Sequence, residues 1–356
     1  MLAAVIAWPF GATAALAQTV YLTDAMSNRV SAIAMATSKV IAEIAVGNNP
    51  GVSAATLDGR KLFVANDYAH TVSVIDTAAN TVIATIPVEQ YPREMTLAPD
   101  GSKLYVANFG SDSVSVIDTA HDAVLATIRV GSESYANLSR PTITPDGAKI
   151  YVSNQKTNEV VAIAAAGDRV VAHIPLDTPT LGLAMAPDGT KVYATDFDDV
   201  AVIDVASDKI VARVPIDTAP QQLAITPDGR KIYVSNVTGG ASARSSRHVS
   251  AIDTASNRVI TTFSVSDGGV TMAVTPDGAK LYLLDSKADR IWVIATASDK
   301  EVATIRVARP AGILGMSSDG ARLFVLHDGL WVIDTATDRV TATIPVAGTY
   351  FAFSTR

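Results

Sequence analysis

The side chains in this sequence with the most chemical potential are five histidines, His70, His121, His173, His248 and His327. No two of them stand at metal-ligand spacing, and H-E-x-x-H is absent. Cysteine is absent too, which excludes disulfides, thiol nucleophiles, Cys-held metals and haem attached through C-x-x-C-H. No EF-hand loop, P-loop or G-x-S-x-G occurs. The expectation is therefore no catalytic residue, no metal ligand set and no evident cofactor.

What remains is suited to recognition. Arginine presents a fixed fork of donors to carboxylate or phosphate, and tyrosine offers a rigid ring with a polar tip. Tyr91, Arg93, Tyr135, Arg140, Arg244, Arg247, His248 and His327 are the candidate ligand- or partner-binding residues. His327 replaces the Asn or Asp found at that place elsewhere in the chain, so it either caps a strand end or lines an opening. His121 and His173 read as surface residues.

These candidates stand at breaks in a repeat. The stretch 97–130, LAPDGSKLYVANFGSDSVSVIDTAHDAVLATIRV, reads as four short strands rich in Val, Ile, Thr and Tyr. Its Pro-Asp-Gly is a turn: Pro presets φ, Asp bonds nearby backbone, and Gly takes positive φ freely. Asp-Gly recurs at Gly59, Gly101, Gly147, Gly189, Gly229, Gly278 and Gly320, seven copies spaced 40 to 49 residues apart. The second strand recurs eight times, from YLTD at Tyr21 to FVLH at Phe324. The mismatch resolves if Thr349 to Ser354 supplies the missing first strand to the unit that opens at Thr19. Such a period fits a β-propeller. The expected fold is all-β: eight four-stranded antiparallel blades closed by pairing the N- and C-terminal strands, with seven blades as the alternative.

Two insertions stretch the period, residues 131–140 (GSESYANLSR) and 237–247 (VTGGASARSSR). One lies between a fourth strand and the next first strand, the other between a second and a third. Because strands alternate in direction, both fall on the same face, where the 2–3 loops and 4–1 crossings gather. Long loops on a rigid scaffold are where function concentrates. Tyr91 and Arg93, on a neighbouring crossing, extend the patch. Asp67, Glu89, Glu94, Asp177, Asp196, Asp198 and Asp199 share this face, so it is mixed in sign. The opposite face carries the Asp-Gly and Asp-Thr-Ala turns, which read as architecture. Asn66, Asn108, Asn154 and Asn236 recur at one register and read as Asx turns. Trp292 and Trp331 stand where earlier copies have Ser73 and Ser115, and read as sheet-to-sheet packing.

Composition bounds the rest. The 356 residues are 48% hydrophobic with a net charge of −7, which disfavours a polyanion as the main ligand. Met1 to Phe10 is apolar, and Ala15-Leu16-Ala17 forms an A-x-A cleavage site before Gln18, although a basic leader is missing. The reading is a signal peptide over 1–17 and one propeller domain over 18–356. The mature protein is expected in the periplasm or at the cell surface, with no transmembrane segment and as a monomer.

The phrases KLYVAN, VSVIDTA and VIATIPV resemble the YVTN β-propeller repeat family over nearly all of the mature chain. The resemblance implies an exported or surface-layer-type propeller. That superfamily is similar in fold to the haem d1 domain of cytochrome cd1 nitrite reductases and to quinoprotein subunits. Three functions stay open. The first is a binding or scaffolding module that presents the loop-rich face to a protein, glycan or small ligand. The second is a haem-, quinone- or metal-dependent, or lactonase-like, enzyme with a site over the central channel. The third is nucleic-acid binding, disfavoured by the acidic balance.

Overall fold

The computed structural model describes residues 19–131, 138, 141–216, 220–237, 247–265, 270–285, 289–307, 313–326, 329–346 and 350–355. The expected signal segment lies outside them. The strands form eight four-stranded antiparallel sheets, so the eight-bladed propeller holds and the seven-bladed alternative does not. In seven sheets the strands lie side by side in chain order. In the eighth, Tyr350–Thr355 pairs with Thr19–Asp24, setting Phe353 opposite Leu22. The terminal strand expected from the count of repeats is therefore present. No helix among the described residues is long and apolar enough to cross a membrane.

The described residues group into two compact units, one within 16–185, 204–209 and 348–356, the other within 186–203 and 210–347. In both, burial falls outward across each sheet. Second strands such as Lys61–Asn66 and Lys280–Asp285 are buried on both faces after their first residue, because a neighbouring sheet covers each side. Outer strands such as Thr81–Pro87 and Lys209–Pro215 alternate between exposed and half-buried positions up to one buried apolar residue. Seven of the third-to-outer strand pairs carry a register shift, as between Val116 and Ile117. A bulge there twists the free edge and disfavours edge-to-edge pairing with another molecule.

The repeated turns have separable jobs. In each described Asp-Gly turn, glycine stands at positive φ (Gly101 at 75°) and the Asp carboxylate accepts the N–H two residues on. In five of the seven a Thr or Ser two residues before the Asp donates to the same carboxylate, as Thr144 Oγ1 does to Asp146 at 2.5 Å; in the other two Ser102 or Thr190, two residues after it, does so. These hydrogen bonds hold the Asp146, Asp228 and Asp277 carboxyls below the ordinary range. The Thr of each Asp-Thr pair then ties this turn to its neighbour. Thr77 Oγ1 donates to the Gly59 carbonyl at 2.6 Å, and Thr254 Oγ1 to that of Gly229 at 2.6 Å.

Consecutive sheets are latched through the same turns. The lysine that opens a second strand reaches the aspartate just before the next sheet's outer strand, at the end of its 3–4 turn. Lys61 Nζ meets Asp122 at 2.8 Å, Lys103 meets Asp168 at 2.9 Å, and Lys149 meets Asp208 at 2.7 Å. Lys231 meets Asp299 at 2.6 Å, and Lys280 meets Asp338 at 2.8 Å. In three of these pairs the second-strand tyrosine donates its hydroxyl to the other oxygen of the same carboxylate: Tyr151 to Asp208, Tyr233 to Asp299 and Tyr282 to Asp338, at 2.6 to 2.7 Å. Each of these aspartates has φ between 46° and 54°. Asp and Asn tolerate that region better than most L residues, and they fill these five positions and the counterparts Asn80 and Asn257, with Ser38 at the eighth. One latch differs. Asn257 stands where the carboxylate belongs, Lys191 bonds only the Thr254 carbonyl, at 3.4 Å, and the buried Asn257 Oδ1 has no hydrogen-bond partner among the described residues.

Asp299→Ala leaves a half-buried lysine and a buried tyrosine without their shared acceptor and is expected to cost about 2–3 kcal/mol. Asn257→Asp supplies Lys191 with the missing carboxylate and is expected to add about 1 kcal/mol. Urea midpoints at pH 7 check both. The tyrosines set a second expectation. Burial raises the Tyr105 and Tyr193 hydroxyls to about 12. Tyr151, Tyr233 and Tyr282 go higher still, through burial first and then through the hydrogen bond to a carboxylate. The folded chain holds these phenols neutral, whereas unfolded tyrosines ionise near pH 10. Stability is therefore fully present below that pH and is lost above it, by about 1.4 kcal/mol per pH unit for each tyrosine. Tyr282→Phe should unfold less steeply with alkali than wild type, as followed by circular dichroism.

Candidate functional site

The described part of the loop-bearing side is densest in polar and aromatic groups at one corner of the unit that holds residues 16–185. Its frame is local. The crossing 88–91 leaves the outer strand Thr81–Pro87 and enters the inner strand Pro92–Leu97. Backbone bonds clamp it from two sides: Val88 N–H donates to the His70 carbonyl, and the Tyr91 and Gln90 carbonyls accept from Phe109 and Gly110. His70 adds a side-chain clamp, because its Nδ1 accepts the Tyr91 N–H at 3.1 Å. That bond places the proton of the neutral ring on Nε2. One repeat earlier, Asn28 Oδ1 accepts the Asn49 N–H at 2.9 Å, so His70 does with an imidazole what asparagine does in the preceding copy.

Arg93 is the bulged residue of its strand. Pro92 pairs with Asn108 and Glu94 with Ala107, which leaves Arg93 facing no partner on the ladder. Its Nε donates to both oxygens of Asp67, at 3.0 and 3.1 Å. Its guanidinium carbon lies 4.1 Å from the Phe109 ring centre and 5.7 Å from that of Tyr91. Asn49 Nδ2 donates to Asp67 as well, at 3.2 Å. Burial raises the Asp67 carboxyl above its ordinary value, and the Arg93 charge pulls it partly back. The Tyr91 ring meets His70 edge-on at 4.9 Å and Tyr68 edge-on at 6.1 Å. Tyr68 is 57% exposed, so the corner ends in an open aromatic edge. Gly110 makes room for it: a Cβ there would lie 2.3 Å from Tyr91 Cδ2.

Of the candidate residues, the structure brings Tyr91 and Arg93 together. Arg247 and His248 belong to a strand rather than to the insertion loop: Arg247–Asp253 pairs with Lys231–Val237, setting Arg247 opposite Val237 and His248 opposite Asn236. Tyr135, Arg140, Arg244 and His327 lie outside the described residues, as does most of both insertions. Leu138, within the first insertion, is buried and bridges to Asn154.

Of the acidic residues expected on this side, Asp67, Asp196 and Asp199 are used internally. Arg213 Nη1 spans Asp196 at 2.7 Å and Asp199 at 3.1 Å, with Asp196 almost fully buried. Burial raises the Asp199 carboxyl, opposed by Arg213. His121 and His173 are surface residues beside Asp118 and Glu159, as expected. Trp292 and Trp331 pack against clusters formed between sheets. The asparagine reading needs correction. Asn154 does form an Asx turn, accepting the Lys156 and Thr157 N–H groups. Asn66 and Asn108 instead donate inward, to Thr71 and Ser73 and to Ser113 and Ser115. The residues after them, Asp67 and Phe109, donate their backbone N–H groups to the preceding crossing at Asn49 and Tyr91, and the amides turn to strand hydroxyls.

Sequence reasoning did not single out Asp67, His70, Tyr68 or Phe109 as parts of one constellation. The signal was available by register. Asp67 and Phe109 occupy the same place in successive repeats, and Arg93 replaces Gly51 of the copy before. Three departures from one repeat position to the next, converging on one crossing, mark the corner.

Comparison with solved structures gives the same fold in proteins of different activity. Hydrazine synthase from Kuenenia stuttgartiensis matches with 24% identity over 81% of this chain and 96% of its own, at a TM-score of 0.64. The dihydro-heme d1 dehydrogenase NirN, solved in complex with DHE, matches with 17% identity over 94% and 74%, at 0.79. A functionally unknown protein from Desulfotomaculum acetoxidans DSM 771 matches with 15% identity over 87% and 99%, at 0.61. At these identities the likeness establishes the fold alone. Among curated proteins none matches this chain. The model of the YNCE-like β-propeller family matches residues 10–320. The propeller family expected from the repeated motifs, and its likeness in fold to a haem d1 protein, are thus borne out, and the chain belongs to the YNCE-like β-propeller family.

Proposed function

We propose that this protein is an exported binding module that presents its loop-bearing side to a protein, glycan or small ligand. The observation that carries the reading is the corner around Arg93. There the repeat gives up a glycine for an arginine, stacks it on Phe109, fixes it with a buried carboxylate, and lines the approach with Tyr91 and an exposed Tyr68. None of those groups is needed for the latches that hold the sheets, which use the opposite turns. Rigid aromatics beside a held arginine are the composition of binding hot spots. Export rests on the apolar opening segment and the A-x-A site before Gln18.

Two measurements test the proposal. Full-length protein expressed with its leader should be recovered outside the cytoplasm with an N-terminus at Gln18, and retention of an uncleaved cytoplasmic form overturns the export claim. Immobilised mature protein should capture a partner or small ligand from periplasmic extract. That capture should fail in Arg93→Gln and in a variant with residues 239–246 cut to a short turn. A haem, quinone or metal held equally by wild type and both variants replaces the binding module with a cofactor-carrying propeller whose site lies elsewhere.

A further inference from the structure

Resting on that reading, we infer that the Arg93 corner is a subsite for a monoanionic carboxylate attached to an aromatic ring. The guanidinium has two hydrogen-bonding edges. The one that includes Nε is committed to Asp67, and the terminal amino groups bond no described residue. The side chain is 21% exposed, so these donors face the approach rather than the core. A planar carboxylate accepts two parallel N–H bonds from such an end, and Asp67 and Phe109 hold the fork in place before the ligand arrives. Preorganisation of this kind lowers the ordering cost of binding.

Charge selects a single negative group. Asp67 already neutralises much of the arginine, and Glu89 and Glu94 flank it along the same crossing and strand. One partly neutralised cation among acids favours a monoanion over a doubly charged phosphate. The ring preference comes from the wall. Tyr91 stands beside the guanidinium and packs perpendicular to Tyr68, whose ring is 57% exposed, which suits offset or edge-on contact with an aromatic body. Gly110 sets the depth of the wall, because any side chain there would push the Tyr91 ring outward.

The test uses the mature full chain and three probes of nearly equal shape: benzoate, benzamide and phenyl phosphate. Binding is followed by saturation-transfer NMR and by shifts of the Arg93 Nε–H resonance in nitrogen-labelled protein. Benzoate is expected to bind at least about tenfold more tightly than the other two, with a shift at Arg93. Arg93→Gln should abolish that preference. Tyr68→Ala, which alters an exposed residue and leaves the fold intact, should weaken benzoate binding severalfold without restoring benzamide. Equal binding of benzoate and benzamide, or preference for phenyl phosphate, overturns the carboxylate assignment while leaving a binding corner, provided that signal falls in Tyr68→Ala. Absence of binding by all three, or binding unchanged in both variants, overturns the subsite and the broader binding reading together.

Discussion

The second strands of the sheets are buried on both faces, so no sheet is stable until neighbouring sheets cover them. Apolar contact alone is nearly indifferent to a small slide of one sheet across the next. The ion pair between a second-strand lysine and the aspartate of the following 3–4 turn supplies the missing directionality. Its carboxylate sits at positive φ, is fixed by its own turn, and in three seams takes a tyrosine hydroxyl on its second oxygen. A shift of even one residue would leave a half-buried charge unpaired. The latch therefore fixes register more than it adds stability, as expected where desolvation offsets much of the Coulomb gain.

The fold was legible because the physics is repeated. Gly101 recurs in six other copies and the position of Tyr105 is Tyr or Phe throughout, so one copy explains the others, and the unequal counts of first and second strands revealed where the chain must close. The latches were less legible. Lys103 and Asp168 stand in different repeats, and only the handedness and stacking of the sheets decide that they meet. The candidate corner was half visible. Tyr91 and Arg93 drew notice as recognition residues, but Asp67 and Phe109, which hold Arg93, sit in positions that look like ordinary loop tips. His70 was passed over because a repeat position usually occupied by Asn or Asp hides the role of an imidazole that also accepts a backbone hydrogen bond.

The two sides of each sheet divide their labour. On the Asp-Gly side the side chains bond one another and the neighbouring sheet, and substitutions among copies are conservative. On the other side the crossings carry the irregular residues, and acids meet arginines singly rather than in a repeated pattern. Asp67 with Arg93 and Asp196 with Arg213 use the same chemistry but different elements, one joining a loop to the next inner strand, the other a loop to its own outer strand. Uniformity on one side is what permits variation on the other.

The pairing of Tyr350–Thr355 with Thr19–Asp24 has a kinetic side. Seven sheets are built from neighbouring strands of one chain segment and can form locally, within tens of residues. The remaining sheet must wait for strands separated by nearly the whole chain to find each other, a search that is slow because the closure entropy comes before the reward. Until then Thr19–Asp24 shows an open backbone edge, the kind of template on which other chains aggregate. The contact of greatest sequence separation is thus also the one that covers this edge.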